Sequence, residues 1–186
     1  FSAFVHDITE RKQVEAIREH EATHDPLTGL LNRRGMFDLL SQAIARVKRT
    51  RASLALLFID LDGFTQINDT HGHEAGDAVL REVAARLQAS IRQTDTAARL
   101  GGDEFTVILE NIKHGIPDAN MLAQKILETL QHPIQLDSVT ATISASIGIS
   151  MHHPDDERSA DQLVNTADSA MYTAKHAGKN QVCVHK

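Results

Sequence analysis

The hydrophobic positions of this chain change period several times, and each change marks an element. Thr9–Thr23 is charged, with Val14 and Ile17 as its only large apolar side chains, and it predicts a helix that faces solvent. Before it, Phe1–Ile8 (FSAFVHDI) reads as the end of a strand. After it, His24–Asn32 (HDPLTGLLN) is rich in turn formers, punctuated by Pro26 and Gly29. Phe37, Leu40, Ile44 and Val47 then recur at helical spacing. Ser53–Ile59 is an unbroken apolar run whose length suits a strand covered on both faces. It ends in Asp60-Leu61-Asp62-Gly63. Phe64–Gly76 is polar, contains glycine and reads as a loop, and Leu80, Val83, Ala84, Leu87 and Ile91 mark the helix after it.

Further on, Thr96–Leu100 and Phe105–Leu109 flank Gly101-Gly102 and predict a β-hairpin, because paired glycines accept the positive φ of a tight turn. Asp118–Leu130 reads as a helix with Leu122, Ile126 and Leu130 inward. Pro133 opens a second pair of strands. Within Thr140–Ser150, Ile143, Ala145, Ile147 and Ile149 alternate with Thr142, Ser144, Ser146 and Gly148, the pattern of a half-buried strand. Ser159 and Gln162 form a capping-box pattern before a helix striped by Leu163, Ala167, Ala170, Met171 and Ala174. Gly178 is placed to end that helix, and Val182-Cys183-Val184 is a terminal strand. Antiparallel hairpins mixed with helical crossovers predict an α+β fold, one central and mostly antiparallel sheet flanked by helices.

Composition narrows the function classes. A net charge of −6 argues against a nucleic-acid partner, no apolar run is long enough to span a bilayer, and no membrane contact is expected of this fragment. The single Cys183 excludes an internal disulfide framework and fits a reducing cytoplasm, where an inert packed thiol is the expectation. Phe1 is not a natural start, so a fragment of something longer is expected. His71, His73, His152 and His153 have no ligand spacing with a clear partner and read as loop histidines.

The candidate chemistry lies at strand ends. Asp103 and Glu104 follow the Gly101-Gly102 turn, and neighbouring carboxylates repel each other unless a cation sits between them. Asp60 ends the buried strand. If the two strands are neighbours, three carboxylates meet at one edge of the sheet and could hold two Mg²⁺, with Mn²⁺ as a substitute, for phosphoryl or nucleotidyl transfer. Taken alone, the same residues also read as a solvated acidic turn and a strand-end turn former. Lys175 and Lys179, one helical turn apart, could meet phosphate oxygens, although cations favour helix C-termini in any case.

The ordered set DPLTGLLNR, FIDLDGFTQINDTHGHEAGD, RLGGDEF, SIGIS and ADSAMYTAKHAGKN, spanning His24 to Lys186, resembles the GGDEF-domain diguanylate cyclases. The resemblance implies a palm-like fold similar to adenylyl cyclases. It implies condensation of two GTP into cyclic di-GMP with release of pyrophosphate, where two domains meet as a homodimer. It also implies that the metal is held by Asp60, the Leu61 carbonyl, Asp103 and Glu104, the last two sharing ligation and base duty. Gly63 and Phe64, with Gly101 and Gly102, would approach the phosphates, and Asn68 and Asp77 would read guanine. Arg92 and Asp95 match the family's RxxD inhibitory site, where product docks, and Lys125 falls where some members place a second arginine. Thr65 stands where the family usually has Lys, and Lys179 where it usually has Arg; both changes weaken the expected grip on triphosphate. Residues 1–23, with DITERK, resemble the end of a PAS sensor followed by a signalling helix; residues 24–186 are the cyclase-like domain. An inactive module that binds GTP or cyclic di-GMP as a receptor is the alternative, and a cyclase of another nucleotide is a further one that Asn68 and Asp77 argue against.

Overall fold

The computed structural model describes residues 2–137 and 139–185. Helix α1 (Ser2–Thr23) runs without interruption by glycine or proline. The strand expected over Phe1–Ile8 is therefore not formed: Ser2–Ile8 are helical, and Phe1 lies outside the described residues. An extended segment needs a neighbour for its backbone hydrogen bonds, whereas a helix satisfies them internally.

Helix α2 (Arg33–Thr50) follows after a sharp bend. Asn32 makes that bend: its N–H donates to the Thr23 carbonyl (2.8 Å), its amide to the Ala22 carbonyl (3.0 Å), and its Oδ1 accepts from the Gly35 N–H (2.9 Å) as an N-cap. Strand β1 (Ser53–Asp62) is the centre of a five-stranded sheet. It pairs antiparallel with β3 (Glu104–Ile112) on one side and β6 (Ser144–His152) on the other. β2 (Thr96–Gly101) adds outside β3 as the expected hairpin, and β7 (Gln181–Val184) adds parallel to β6, for the order β2-β3-β1-β6-β7.

Because β1 is central, its alternating side chains serve two cores. Ala55, Leu57, Ile59 and Leu61 pack with helices α4 (His73–Ser90) and α5 (Ile116–Leu130). Leu54, Leu56 and Phe58 pack with α2 and helix α6 (Ala160–His176). Each such large apolar side chain contributes about 1.5–3 kcal/mol on burial. The second face continues past Phe58 to Asp60 and Asp62, so the strand leaves its core as a row of carboxylates under the last turns of α6.

Further expectations change. Phe64–Gly76 is not a loop but helix α3 (Phe64–His71) and the start of α4, which meet at Gly72; Phe64 and Ile67, one turn apart, anchor α3 in the core. Thr140–Ser150 splits into β5 (Thr140–Ala141), paired with β4 (Ile134–Gln135), and the separate β6. And β6 is buried on both faces, because α6 covers the side expected to face water. A Cβ on Gly148 would collide with the Ala167 carbonyl and the Met171 backbone, so this small residue is what lets α6 settle on the sheet. His152, expected in a loop, is fully buried at the end of β6. The Ser159–Gln162 capping box forms as expected (3.3 and 2.9 Å).

Candidate active site

The hairpin sets Asp103 and Glu104 against the end of β1. Glu104 is the register partner of Asp60, and the Leu61 N–H donates to the Asp103 carbonyl at 3.2 Å. The turn between the strands uses Gly101 at φ 138° and Gly102 at φ 51°, conformations that side chains with a Cβ rarely adopt. Arg99 braces it. Its Nε and Nη2 donate to the Gly102 carbonyl (3.0 and 2.8 Å), and its Nη1 donates to both oxygens of Asp25 (3.0 and 3.1 Å). Asp25 also accepts from the Thr28 N–H (2.9 Å) and hydroxyl (2.7 Å). The stretch around Pro26 is therefore a strut between the end of α1 and the acidic turn. Its signal in the sequence was Asp25-Pro26-Leu27-Thr28, whose purpose only the partner Arg99 reveals.

The carboxylates crowd one another. Burial, and after it the charge of Asp60, pushes the Asp103 carboxyl above its ordinary range. Glu104 is raised by burial and by the charges of Asp60, Asp168 and Asp103. Asp168, on α6, is raised by burial and by Asp60. It is a fourth acidic group at this edge that the sequence reading missed, although ADSAMYTAK carried it. The cations that answer them are Lys175, whose Nζ is 2.7 Å from Asp60 Oδ1, and Arg33, 4.0 Å from Glu104. Lys175 was expected at phosphate oxygens and is found on Asp60. Among the described residues, no three acidic, histidine or cysteine side chains close into a ready-made cage. The oxygens gathered here are hard donors that suit Mg²⁺, an ion that keeps part of its shell for water and phosphate.

Asp62, two residues from Asp60 on the same face, is used differently. It accepts from the Ser144 hydroxyl (3.0 Å), the Ser146 hydroxyl (2.9 Å) and the Asn180 N–H (3.0 Å). It thereby holds the turn that carries Lys179, which is exposed at φ 63°. Gly63 caps α3, so the open first-turn N–H groups from Phe64 onward begin directly beside the carboxylates. Asn68 presses its side-chain amide on Gly76, which brings it next to Asp77; both are half-buried.

The RxxD residues lie elsewhere. Arg92, Asp95 and Lys125 line one cavity of about 340 Å³ between α4, β3 and α5. Asp95 accepts from the Arg92 N–H (3.1 Å), and Lys125 donates to the Ser90 carbonyl (3.1 Å), while the Arg92 side chain is exposed.

Residues 22–181 match the family model described as "Diguanylate cyclase, GGDEF domain". The bifunctional diguanylate cyclase/cyclic di-GMP phosphodiesterase MucR of Pseudomonas aeruginosa is 45% identical over 87% of this chain, which spans 23% of that protein. Diguanylate cyclase TpbB of the same species is 43% identical over 86% of this chain, which spans 37% of it. A structure comprising only the GGDEF domain of TpbB superposes with TM-score 0.83 at 40% identity, covering 88% of this chain and 94% of that one. The coiled coil and GGDEF domain of DgcB from Caulobacter crescentus, in complex with c-di-GMP, superposes with TM-score 0.88 at 28% identity over 98% and 95% of the two chains. With the acidic edge, the braced glycine turn and the sheet order all in place, the chain belongs to the GGDEF diguanylate cyclase domain family.

Proposed function

We propose that this domain condenses two GTP into cyclic di-GMP. The observation that carries the reading is the in-register pair Asp60 and Glu104, with Asp103 clamped beside them, at an edge where burial and neighbouring carboxylates raise Asp103 and Glu104. A structural turn gains nothing from such crowding; a site that receives a cation and triphosphate does. Asp60, Asp103, Glu104 and the Leu61 carbonyl would hold Mg²⁺, which when bound neutralises charge on the phosphates and on the leaving pyrophosphate.

The chain's own groups supply the rest. Asn68 and Asp77 bind the guanine edge, where a carboxylate accepts from N1–H and N2–H₂ together. Adenine, with a bare acceptor at N1, leaves that carboxylate unpaired and is rejected. The first-turn N–H groups of α3 and the ammonium groups of Lys175 and Lys179 receive triphosphate oxygens. In each half-reaction the 3′-hydroxyl oxygen of one GTP bonds to the α-phosphorus of the other, the bond to the β-phosphate oxygen breaks, and pyrophosphate leaves. Glu104, with Asp103, accepts the hydroxyl proton, for which its raised proton affinity suits it. Two such steps close the ring. One domain holds one GTP, so two copies meet face to face, most simply with two-fold symmetry. α1, as a linker from an upstream sensor, raises the local concentration of the partner domain. Arg92, Asp95 and Lys125 bind the product and limit the reaction.

The test is incubation with GTP and Mg²⁺, with products read by mass spectrometry across a protein dilution series. Cyclic di-GMP with a specific activity that rises with protein concentration is expected. Binding of GTP or cyclic di-GMP with no turnover at any concentration would establish the receptor alternative instead.

A further inference from the structure

We infer that Lys175 is the resident cation of the acidic edge, seated on the Asp60 carboxylate that a divalent metal would use and exchanged onto triphosphate when the metal–nucleotide complex arrives. This rests on the cyclase reading above. Asp60 is 7% exposed and its side chain has Asp103, Glu104 and Asp168 for electrostatic neighbours. A carboxylate so placed carries a heavy desolvation cost unless a cation compensates it. Lys175 Nζ at 2.7 Å supplies that cation. A carboxylate already held by an ammonium binds a divalent ion less well, because the two cations repel each other far more strongly at contact distance inside the protein than in water.

Local structure makes the exchange feasible. The backbone of Lys175 is fixed in the last turn of α6, which Gly148 lets seat on the sheet, while its side chain is 36% exposed. Lysine carries a compact charge on a flexible stem with three rotatable donors, so one residue can turn from a carboxylate to a phosphate oxygen. An arginine committed to a two-pronged pair would not exchange as readily. The contrast with Asp62 supports the assignment. That neighbour is satisfied by two hydroxyls and a backbone N–H, donors that do not leave. The functional consequence is that metal alone binds poorly, and metal with nucleotide binds well because the displaced lysine gains a phosphate partner.

The test uses Mn²⁺ as probe, with the free-ion electron paramagnetic resonance signal as readout, on the wild-type chain and on Lys175→Met. Without nucleotide, Lys175→Met should bind Mn²⁺ about tenfold more tightly. With GTP present it should bind the Mn²⁺–GTP complex more weakly than wild type. A purely structural role would move both affinities in the same direction. Lys179→Met removes an equal charge from the exposed turn without touching Asp60, and should shift metal-alone binding by less than about twofold, since exposed charges are screened. Lys175→Gln runs beside them so that the result does not hang on one variant's folding. Unchanged or weaker metal-alone binding in both Lys175 variants, with normal Mn²⁺–GTP binding to wild type, overturns the exchange alone. Equal tightening in Lys179→Met overturns it as well, as a long-range charge effect. No Mn²⁺ binding to wild type even with GTP overturns the metal reading, and this inference with it.

Discussion

Asp25 and the pair Asp103–Glu104 stand on either side of the same glycine turn, and they are opposite kinds of carboxylate. Burial alone would raise Asp25, yet the Thr28 and Arg99 hydrogen bonds hold it below its ordinary range. Burial raises Asp103 and Glu104 too, and there the neighbouring carboxylates push in the same direction. The difference lies in donors. Asp25 receives four hydrogen bonds from the chain itself, whereas the acidic pair faces other carboxylates. Frame and site are thus separated by whether the protein completes the hydrogen bonding or leaves it for a ligand, and Arg99 joins them by holding Asp25 with one nitrogen and the turn carbonyl with the others.

The largest expected effect breaks the site side. Glu104→Gln or Asp103→Asn should lower cyclic di-GMP formation by at least about a hundredfold. The melting temperature should stay level or rise, because a repulsion is removed. Product quantified by mass spectrometry, next to a thermal melt, decides it; near-normal turnover would return both residues to the class of ordinary turn formers.

Breaking the frame should do the reverse. Asp25→Asn removes a charge that Arg99, 12% exposed at its side chain, cannot replace, and should cost about 1–3 kcal/mol of stability in urea unfolding. The pH dependence carries the sign. Asp25 has a folded pKa below 3.8, so its contribution is present above that value and is lost as pH falls through the lower folded one. The gap between wild type and Asp25→Asn should close in acid. Asp103 has a folded pKa above 3.8, so its favourable contribution is present below 3.8 and is lost as pH rises through the raised value. Asp103→Asn should therefore gain on wild type as pH rises, and added Mg²⁺ should stabilise wild type and shrink that gain. Parallel curves for the two variants would remove the distinction.

Asp95 is a frame carboxylate in this sense, held by the Arg92 N–H at 3.1 Å and the Glu110 N–H at 3.4 Å, beside an exposed arginine. Arg92→Ala should leave the initial rate within about twofold and raise the product concentration needed for inhibition by about 5- to 150-fold. Inhibition at the wild-type concentration would take the cavity out of the feedback role.

The smallest effect extends the comparison to a neutral group. Thr106, on the Glu104 face of β3, is fully buried, and its hydroxyl has no hydrogen-bond partner among the described residues. Thr106→Val should stabilise the domain by about 0.5–1 kcal/mol without altering turnover, since an unmade hydrogen bond is removed with little change of shape. Chemical denaturation beside a rate assay checks both halves.

Much of this protein was legible without coordinates. The unbroken apolar run Ser53–Ile59 reads as a buried strand by its length, Gly101-Gly102 between two short strands reads as a turn, and Ser159 with Gln162 announces a helix start, because each depends on neighbours in sequence alone. The acidic residues were legible as types for the same reason. Tertiary structure decided what each of them touches. Asp60 and Asp62 differ little in local sequence; the family resemblance singles out Asp60 as a candidate metal ligand, and only the structure shows Lys175 seated on it while Ser144, Ser146 and Asn180 make Asp62 an anchor. Ser146, Gly148 and Ser150 alternate like a wetted strand face, yet α6 covers them, because small side chains mark a seat for a helix as readily as a surface for water. Asp168 and the Asp25–Arg99 strut were hidden for a related reason: their charges meet partners far away in the chain, and no local spacing encodes such a meeting.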